Sequence, residues 1–531
     1  MDCQATYLPY GETGYFSKII LDYLGQDPEL KPFYSHPVSL DGVRQAIRDR
    51  SAFKTDRPLL VRELKKQYAG LEPSATINRN LELLLLENSF TITTAHQPVL
   101  FTGPLFFIYK ILHVIRLAEG LSSDFPDNHF IPAYFMGSED ADLDELGHIF
   151  LHGEKLLWET REKGAVGRMS TMGIEILISR LEAEFGSQPH GRELVQLISS
   201  CYIGSPDVQT ATLKLIHALF ARFGLIVFIP DNPAFKNAMV PVFEQDIFEH
   251  RSSNLVENSI KRLSSHYKVQ ARPRAINLFY LGDQLRNRIE QSNGRFNVHE
   301  ADLQFDSVQI RTELHEHPEH FSPNVILRGL MQSTLLPDIA FIGGSGELAY
   351  WLELKSLFEY YGVPYPMLIL RNSFLLVEGE ASRKMRSLEL GLPDLFLSEQ
   401  ELLNRLVKKY SQNQLSLNRE FTEAEDLYNR IAAISAKVAP SLEQHTRALE
   451  SKALRRLRDL EAKLLKTEKR KFEDQDRQIH ALKSSLFPQN NLQERIDNFI
   501  PYYAKWGNEF IDRVYHHSPA LDQHFTVLIT E

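Results

Sequence analysis

A short apolar run, rich in β-branched and aromatic residues, ends abruptly in a small polar cluster at five places in this chain. No other pattern restricts its fold as much. Phe90–Thr94 leads into Ala95-His96-Gln97, and Phe130–Met136 into Gly137-Ser138-Glu139-Asp140. Leu225–Ile229 ends in Pro230-Asp231, and Ile339–Ile342 in Gly343-Gly344-Ser345-Gly346-Glu347. Met367–Leu370 ends in Arg371-Asn372. Such runs read as buried strands. Helical sequence lies between them. After the first run, Pro104 opens a helix predicted over 105–119, with Thr102 as its N-cap and Gly120 as its exit. Strands alternating with helices predict an α/β fold: a doubly wound parallel sheet with helices on both faces. In such sheets ligands bind at the carboxyl ends of the strands, where the polar clusters lie.

Two stretches break the rhythm, 152–206 and 235–322, and read as insertions into the core. The expected division is core from 1 to 151, first insertion 152–206, core 207–234, second insertion 235–322, core 323–387, a helical domain 388–487, and a return to the core over 488–531. In the helical domain glycine becomes rare and apolar residues recur at helical spacing. Leu427, Ile431, Ile434 and Val438 form one stripe, and Ala453, Leu457, Leu460 and Leu464 another. These predict long paired helices, an antiparallel coiled coil broken near Pro440, and dimerisation through it. The final 524–530 reads as a returning edge strand.

Composition closes off several classes. The 531 residues carry 59 basic and 69 acidic side chains, a net charge of −10. That balance argues against nucleic acid or an anionic membrane as partner. Cys3 and Cys201 are the only cysteines, too few for a disulfide framework or a zinc ribbon. No apolar run reaches the ~18 residues of a membrane span, and the first residues lack the character of a secretory signal. A cytoplasmic, soluble protein is expected.

His96, at a strand end beside a helix start, can bind phosphate or stabilise a transition state, or can be a turn residue satisfied by backbone. In Ser138-Glu139-Asp140-Ala141-Asp142-Leu143-Asp144-Glu145, the alternate aspartates suggest calcium. The glycine and bidentate glutamate that such a loop needs are replaced by Glu145 and Leu151. The run is either an acidic helix start or a pair, Glu139 and Asp140, facing the crevice as amine ligand or general base. The glycine loop 343–347 is neither a phosphate-binding Walker loop nor a nucleophile elbow, and is favoured as an anion site. His315, His317 and His320 have no metal-ligand spacing, and no structural metal is expected. Lys384-Met385-Arg386-Ser387 is a weak match to the KMSKS loop of class I tRNA synthetases.

Three blocks together carry a resemblance. Thr93–Leu117, Pro132–Phe150 and Phe321–Pro366 resemble, in order, the signatures of BshC, the cysteine-adding enzyme family of bacillithiol biosynthesis. The resemblance spans nearly the whole chain. Two departures stand out. Ala95-His96-Gln97 replaces the family's usual Gly-Gln-Gln, and Arg328-Gly329-Leu330-Met331-Gln332-Ser333 replaces Arg-Pro-Leu-Met-Gln-Glu. The resemblance implies a Rossmann-like core related to class I synthetases and nucleotidyltransferases. It also implies two connecting-peptide insertions and a coiled-coil domain that makes a homodimer. The implied reaction adds L-cysteine to glucosaminyl-malate through an amide to the glucosamine amine.

A free carboxylate does not acylate an amine at neutral pH, so activation by ATP is expected, with Mg2+ entering alongside the nucleotide. His96, Gln97, Glu139 and Asp140 are the candidate catalytic residues. Phosphates or malate carboxylates are expected at Thr102-Gly103 and at Gly343, Gly344, Ser345, Gly346 and Glu347, with Lys110 and Arg328 adding charge and Ser138 nearby. Glu139, Asp140 or Asp231 would receive an ammonium. Two alternatives stay open: a lapsed synthetase-like scaffold acting through its coiled coil, and a nucleotidyltransferase acting on another small acid.

Overall fold

The computed structural model describes residues 3–530, and the chain divides into two compact units. The larger runs up to Leu376 and resumes at Asn491; the smaller is Val377–Asn490.

At the centre of the larger unit are five parallel strands, β1 (Ser89–His96), β2 (His129–Met136), β3 (Ile226–Phe228), β4 (Asp338–Gly343) and β5 (Met367–Leu370). Their order is β5-β4-β1-β2-β3. The chain builds outward from β1 in one direction, then returns to its other side, so the order reverses between β1 and β4. Nearly every residue of these strands is buried. Covered on both faces, they lose the polar alternation of half-exposed strands, and for that reason they stand out as continuous apolar runs. The predicted doubly wound sheet is present.

Its first helix, α1 (Phe106–Asp124), differs from the expectation over 105–119. It starts later and runs through Gly120, and Thr102 does not cap it. Phe101 and Thr102 take positive φ of 48° and 71°, and Gly103 follows at 66°. A Cβ on Gly103 would lie 2.6 Å from the Val99 side chain, so this tight turn requires glycine there. Asn498 Nδ2 donates to the carbonyls of Phe101 and Gly103 at 3.1 and 2.7 Å, and Leu105 N–H donates to Asp497 at 2.7 Å. The loop's backbone is thus satisfied by residues almost four hundred positions away, which a local helix rule does not register.

The final strand also differs. Phe525–Thr530 is not an edge: it lies between Cys3–Leu8, to which it pairs antiparallel, and Ser373–Val377. The first stretch, 152–206, contributes Ile174–Phe185 and Gly191–Tyr202, whose apolar faces join the main core. The second carries α2 (Pro233–Glu249), a further helix, Arg251–Leu263, and a five-stranded antiparallel sheet that includes Leu278–Gly282 and Leu285–Ser292. The chain then returns to the core through α3 (Val325–Leu335) and α4 (Ser345–Trp351).

The helical unit begins at Val377 rather than 388, because the helix Gly379–Ser387 belongs to it. Its two long helices, Asn418–Ala436 and Pro440–Lys469, form a hairpin, with Pro440 in the first turn of the second, where its missing N–H costs nothing. Ala432 and Leu454 are buried in this unit, while Leu427, Ile431, Ile434 and Val438 are exposed. Among the described residues no helix is long and apolar enough to cross a membrane.

Candidate active site

Beyond the carboxyl ends of β1 and β2, between them and the antiparallel insertion sheet, lies a cavity of about 410 Å³. Gln97, Gly137, Glu139 and Asp140 line it from the core, and Arg328 from α3. The insertion supplies Arg272, Arg274, Arg286 and Arg288. Five guanidiniums and two carboxylates therefore face one space. Arg286 and Arg288 are alternate residues of one strand, which puts both on the same face.

The two neighbouring acids differ sharply. Glu139 is buried and ion-paired with Lys236 of α2, whose ammonium also donates to the Phe321 carbonyl at 2.6 Å. Burial, and Asp231 nearby, hold the Glu139 carboxyl above its usual range against the pull of Lys236. Asp140 accepts a hydrogen bond from Gln97 Nε2 at 3.2 Å and lies 3.9 Å from Arg286. Burial works to raise it too, but Arg286, the Gln97 hydrogen bond and Arg328 outweigh that and hold it below the ordinary carboxylate range. Asp140 is therefore ionised and open to the cavity. Asp231 is taken: Arg168 holds it with two hydrogen bonds of 2.6 Å.

A second polar group lies where the strand order reverses. Lys110 of α1, fully buried, donates to the Ala95 carbonyl at 2.8 Å and pairs with Glu347. Burial lowers its pKa, against the attraction of Glu347. Glu347 also accepts the Gly344 N–H at 2.8 Å, so α4 is capped by its own side chain. The glycine loop thus keeps its first donor for itself; Ser345 and Gly346 lie at the surface side of this turn. Glycine at 343 is needed, since a Cβ would come within 2.7 Å of Leu348 and Phe341. Arg371 donates to buried Glu494 at 2.7 Å.

His96 and Gln97 are consecutive and open onto different cavities, as neighbouring side chains at a strand end must. His96 packs on Phe106 and Phe107 and lines a smaller cavity of about 190 Å³. Burial, with Lys110, Arg328 and Arg371 nearby, pushes its pKa well below the usual value, so the imidazole is neutral. Its Nε2 is buried without a hydrogen-bond partner among the described residues, as are the hydroxyls of Thr102 and Ser138. Thr102 and Ser138 line neither cavity.

Gln97, Glu139, Asp140 and Arg328 line one cavity, whereas His96 lines another and Ser138, Ser345 and Glu347 line neither. Lys110, Gly343, Gly344 and Glu347 form a neighbouring cluster, to which Arg328 couples electrostatically through Glu347. The insertion arginines and Lys236 were missed; the alternating pair Arg286 and Arg288 was the one sequence signal available. A larger cavity of about 580 Å³ opens at the amino ends of the strands, beside His129, Arg222 and Tyr515. It contains none of the expected site residues, and ligands of open parallel sheets bind at the opposite end. Among the described residues no three His, Cys, Asp or Glu side chains are grouped as a metal site.

Comparison with known proteins adds independent findings. Residues 1–372 match the family described as "Bacillithiol biosynthesis BshC, N-terminal Rossmann-like domain". Residues 374–530 match "Bacillithiol biosynthesis BshC, C-terminal coiled-coil domain". A protein of Flavobacterium johnsoniae named "Putative cysteine ligase BshC" is 37% identical over 98% of this chain and 99% of its own length. The protein of the same name from Flavobacterium psychrophilum is 37% identical over 96% of each chain. That from Bacillus cytotoxicus is 26% identical over 93% of this chain and 95% of its own.

Proposed function

The chain belongs to the BshC family of bacillithiol biosynthesis, and from that premise we propose that it is the ligase that joins L-cysteine to glucosaminyl-malate, in the last step of that synthesis. The observation that carries the reading is the cavity with five arginines and an ionised aspartate at the carboxyl ends of the strands. Malate brings two carboxylates, which paired guanidiniums bind with directional hydrogen bonds. The amine that is acylated arrives as an ammonium, which the ionised carboxylate of Asp140, open to the cavity beside Gln97 and Arg286, can receive as an ion pair.

The new amide forms between the cysteine carboxyl carbon and the glucosamine nitrogen. Starting from the ammonium, the nitrogen loses two protons to solvent, one to become the attacking amine and one as the amide forms, and one carboxyl oxygen leaves on the activating group. ATP, as acyl-adenylate or acyl-phosphate, supplies that activation when bound. The donor set fits its phosphates, since guanidiniums recognise phosphate as they do carboxylate. Arg328, which lines the cavity at the carboxyl ends of the strands and interacts with Glu347 of the Lys110–Glu347 pair, would meet the charge. Mg2+ would come with the nucleotide, because octahedral magnesium usually binds through substrate phosphates. Neutral His96, with a free nitrogen, can accept a hydrogen bond at the strand end. The enzyme acts in the cytoplasm, as a homodimer formed through the exposed apolar stripe of the paired helices.

The test is mass spectrometry of products from purified protein given ATP, Mg2+, mixed amino acids and several amino sugars. The expected product is glucosaminyl-malate plus one cysteinyl residue, formed only with ATP. A different amino acid or acceptor, or no product at all, overturns the proposal.

A further inference from the structure

Arg272 and Arg274 are exposed side chains on irregular backbone, in the stretch between the helix Arg251–Leu263 and the strand Leu278–Gly282. Among the described residues neither guanidinium has a carboxylate partner. Long cationic side chains on such a stretch have much freedom to lose on binding. The backbone that carries them, however, is clamped at both ends by buried carboxylates.

At the near end Glu353, 2% exposed, accepts the N–H of Gln270 at 2.8 Å and of Ala271 at 3.2 Å. At the far end Asp246 of α2, fully buried, accepts from Asn277 through its N–H at 2.5 Å and its Nδ2 at 3.1 Å. Asn277 in turn accepts the Arg274 N–H at 3.0 Å and donates to the Arg274 carbonyl at 2.9 Å. It also accepts from Asn324 Nδ2 at 3.1 Å. Asn324 is the N-cap of α3, the helix that carries Arg328. One side-chain network therefore fixes Arg274 and the start of the Arg328 helix relative to each other.

Buried carboxylates are expensive to keep, and burial pushes Glu353 up to about 7 and Asp246 up to about 6. Neither touches the cavity. A surface loop with no task would be held more cheaply by neutral groups.

Resting on the reading of the cavity as the site for the anionic substrate, we infer that Glu353 and the Asp246–Asn277 pair are positioning residues that preorganise Arg272 and Arg274 for its carboxylates. Preorganisation of this kind is expressed in affinity. Glu353→Gln replaces one acceptor by a donor facing an N–H, so the clamp opens while the charge facing the ligand is untouched.

The experiment compares steady-state kinetics of Glu353→Gln, Arg272→Ala and the double variant, with glucosaminyl-malate varied at saturating cysteine and ATP. Glu353→Gln is expected to raise KM for glucosaminyl-malate at least fivefold, with kcat within twofold and KM for cysteine unchanged. The double variant is expected to be no worse than Arg272→Ala, because Glu353 holds the backbone immediately before Arg272 while Arg274 is held separately by Asn277. An unchanged KM, equal losses for both substrates, or additive effects overturn the inference. Should Glu353→Gln fail to fold, Asn277→Ala with Arg274→Ala forms the same cycle at the other end, and is judged by the same outcomes. Calorimetry of glucosaminyl-malate binding to Arg328→Ala separates the two readings. Undiminished binding there rejects the cavity as the site. Lost binding there with normal binding to Glu353→Gln rejects the clamp alone.

Discussion

Lys236 and Glu139 form an ion pair in which neither side chain reaches solvent to any extent, 0% and 7% exposed. The pair ties α2 of the insertion to the end of β2, and it divides the labour of two adjacent acids. Glu139 is spent on structure, and Asp140 is left to the ligand. Removing one partner of a buried pair leaves the other charge uncompensated, at a cost of about 3–5 kcal/mol. Lys236→Met should therefore lower the unfolding midpoint strongly, whereas Lys236→Met with Glu139→Leu should recover much of the loss. Urea denaturation of both variants checks this.

Asp140→Asn keeps the shape but removes the charge and replaces one of the two oxygens, which accept from Gln97 Nε2 and the Ala141 N–H, by a donor. Turnover should fall at least tenfold, about 1.4 kcal/mol of transition-state stabilisation. Folding should survive, since the side chain fills no core. Kinetics on cysteine and glucosaminyl-malate, with circular dichroism as the control, decide the matter; unchanged kinetics would remove Asp140 from the mechanism.

The same applies to His96→Ala, at the neighbouring cavity. Its neutral imidazole sits well below its ordinary pKa, so across neutral pH it carries no charge to lose. A loss of turnover in His96→Ala should be nearly constant from pH 6 to 8. A loss that grows toward low pH would point to a charged form.

Glu353 gives a pH test of stability. Its folded value, about 7, is above the ordinary glutamate value of 4.5, so the folded chain binds its proton more tightly than the unfolded chain does. The stability this group contributes is fully present below its unfolded value and is lost as pH rises through about 7. The loss is roughly 3 kcal/mol at most. The native protein should therefore lose more stability between pH 5 and 8 than Glu353→Gln, which cannot titrate there. Parallel urea midpoints across that range would show that Glu353 does not titrate as described.

Ile434 and Val438, 65% and 73% exposed, continue an apolar stripe that the hairpin itself leaves uncovered. Light scattering of the full chain should give a dimer, and Ile434→Glu with Val438→Glu a folded monomer. A double variant that remains dimeric places the interface elsewhere.

How much of this could be read from residues alone depends on how local the cause was. The strands β1 to β5 were legible because burial on both faces makes each a continuous apolar run. Gln97, Glu139 and Asp140 were legible because a parallel sheet dictates where its ligands go. The start of α1 was not, because Asn498 and Asp497 satisfy the loop before it. Arg272 and Arg274 look like ordinary surface charges until the fold assembles them. Glu347 was expected to belong to an anion site, and it does meet Gly344 N–H, but as the helix's own cap. The exposed position of the 427–438 stripe was hidden for a related reason: helical spacing shows a face, not which partner covers it.

The strand Phe525–Thr530 carries a consequence for how the protein is made. It lies between Cys3–Leu8 and Ser373–Val377, so two segments synthesised long before wait for the one between them. A chain emerging from the ribosome can close its parallel sheet early, but this small sheet stays open, with unpaired edges, until synthesis has passed residue 530. Open edges invite pairing with other chains. Transcripts that stop early, or ribosomes that stall in the last stretch, should therefore release products prone to aggregate rather than partly active enzyme.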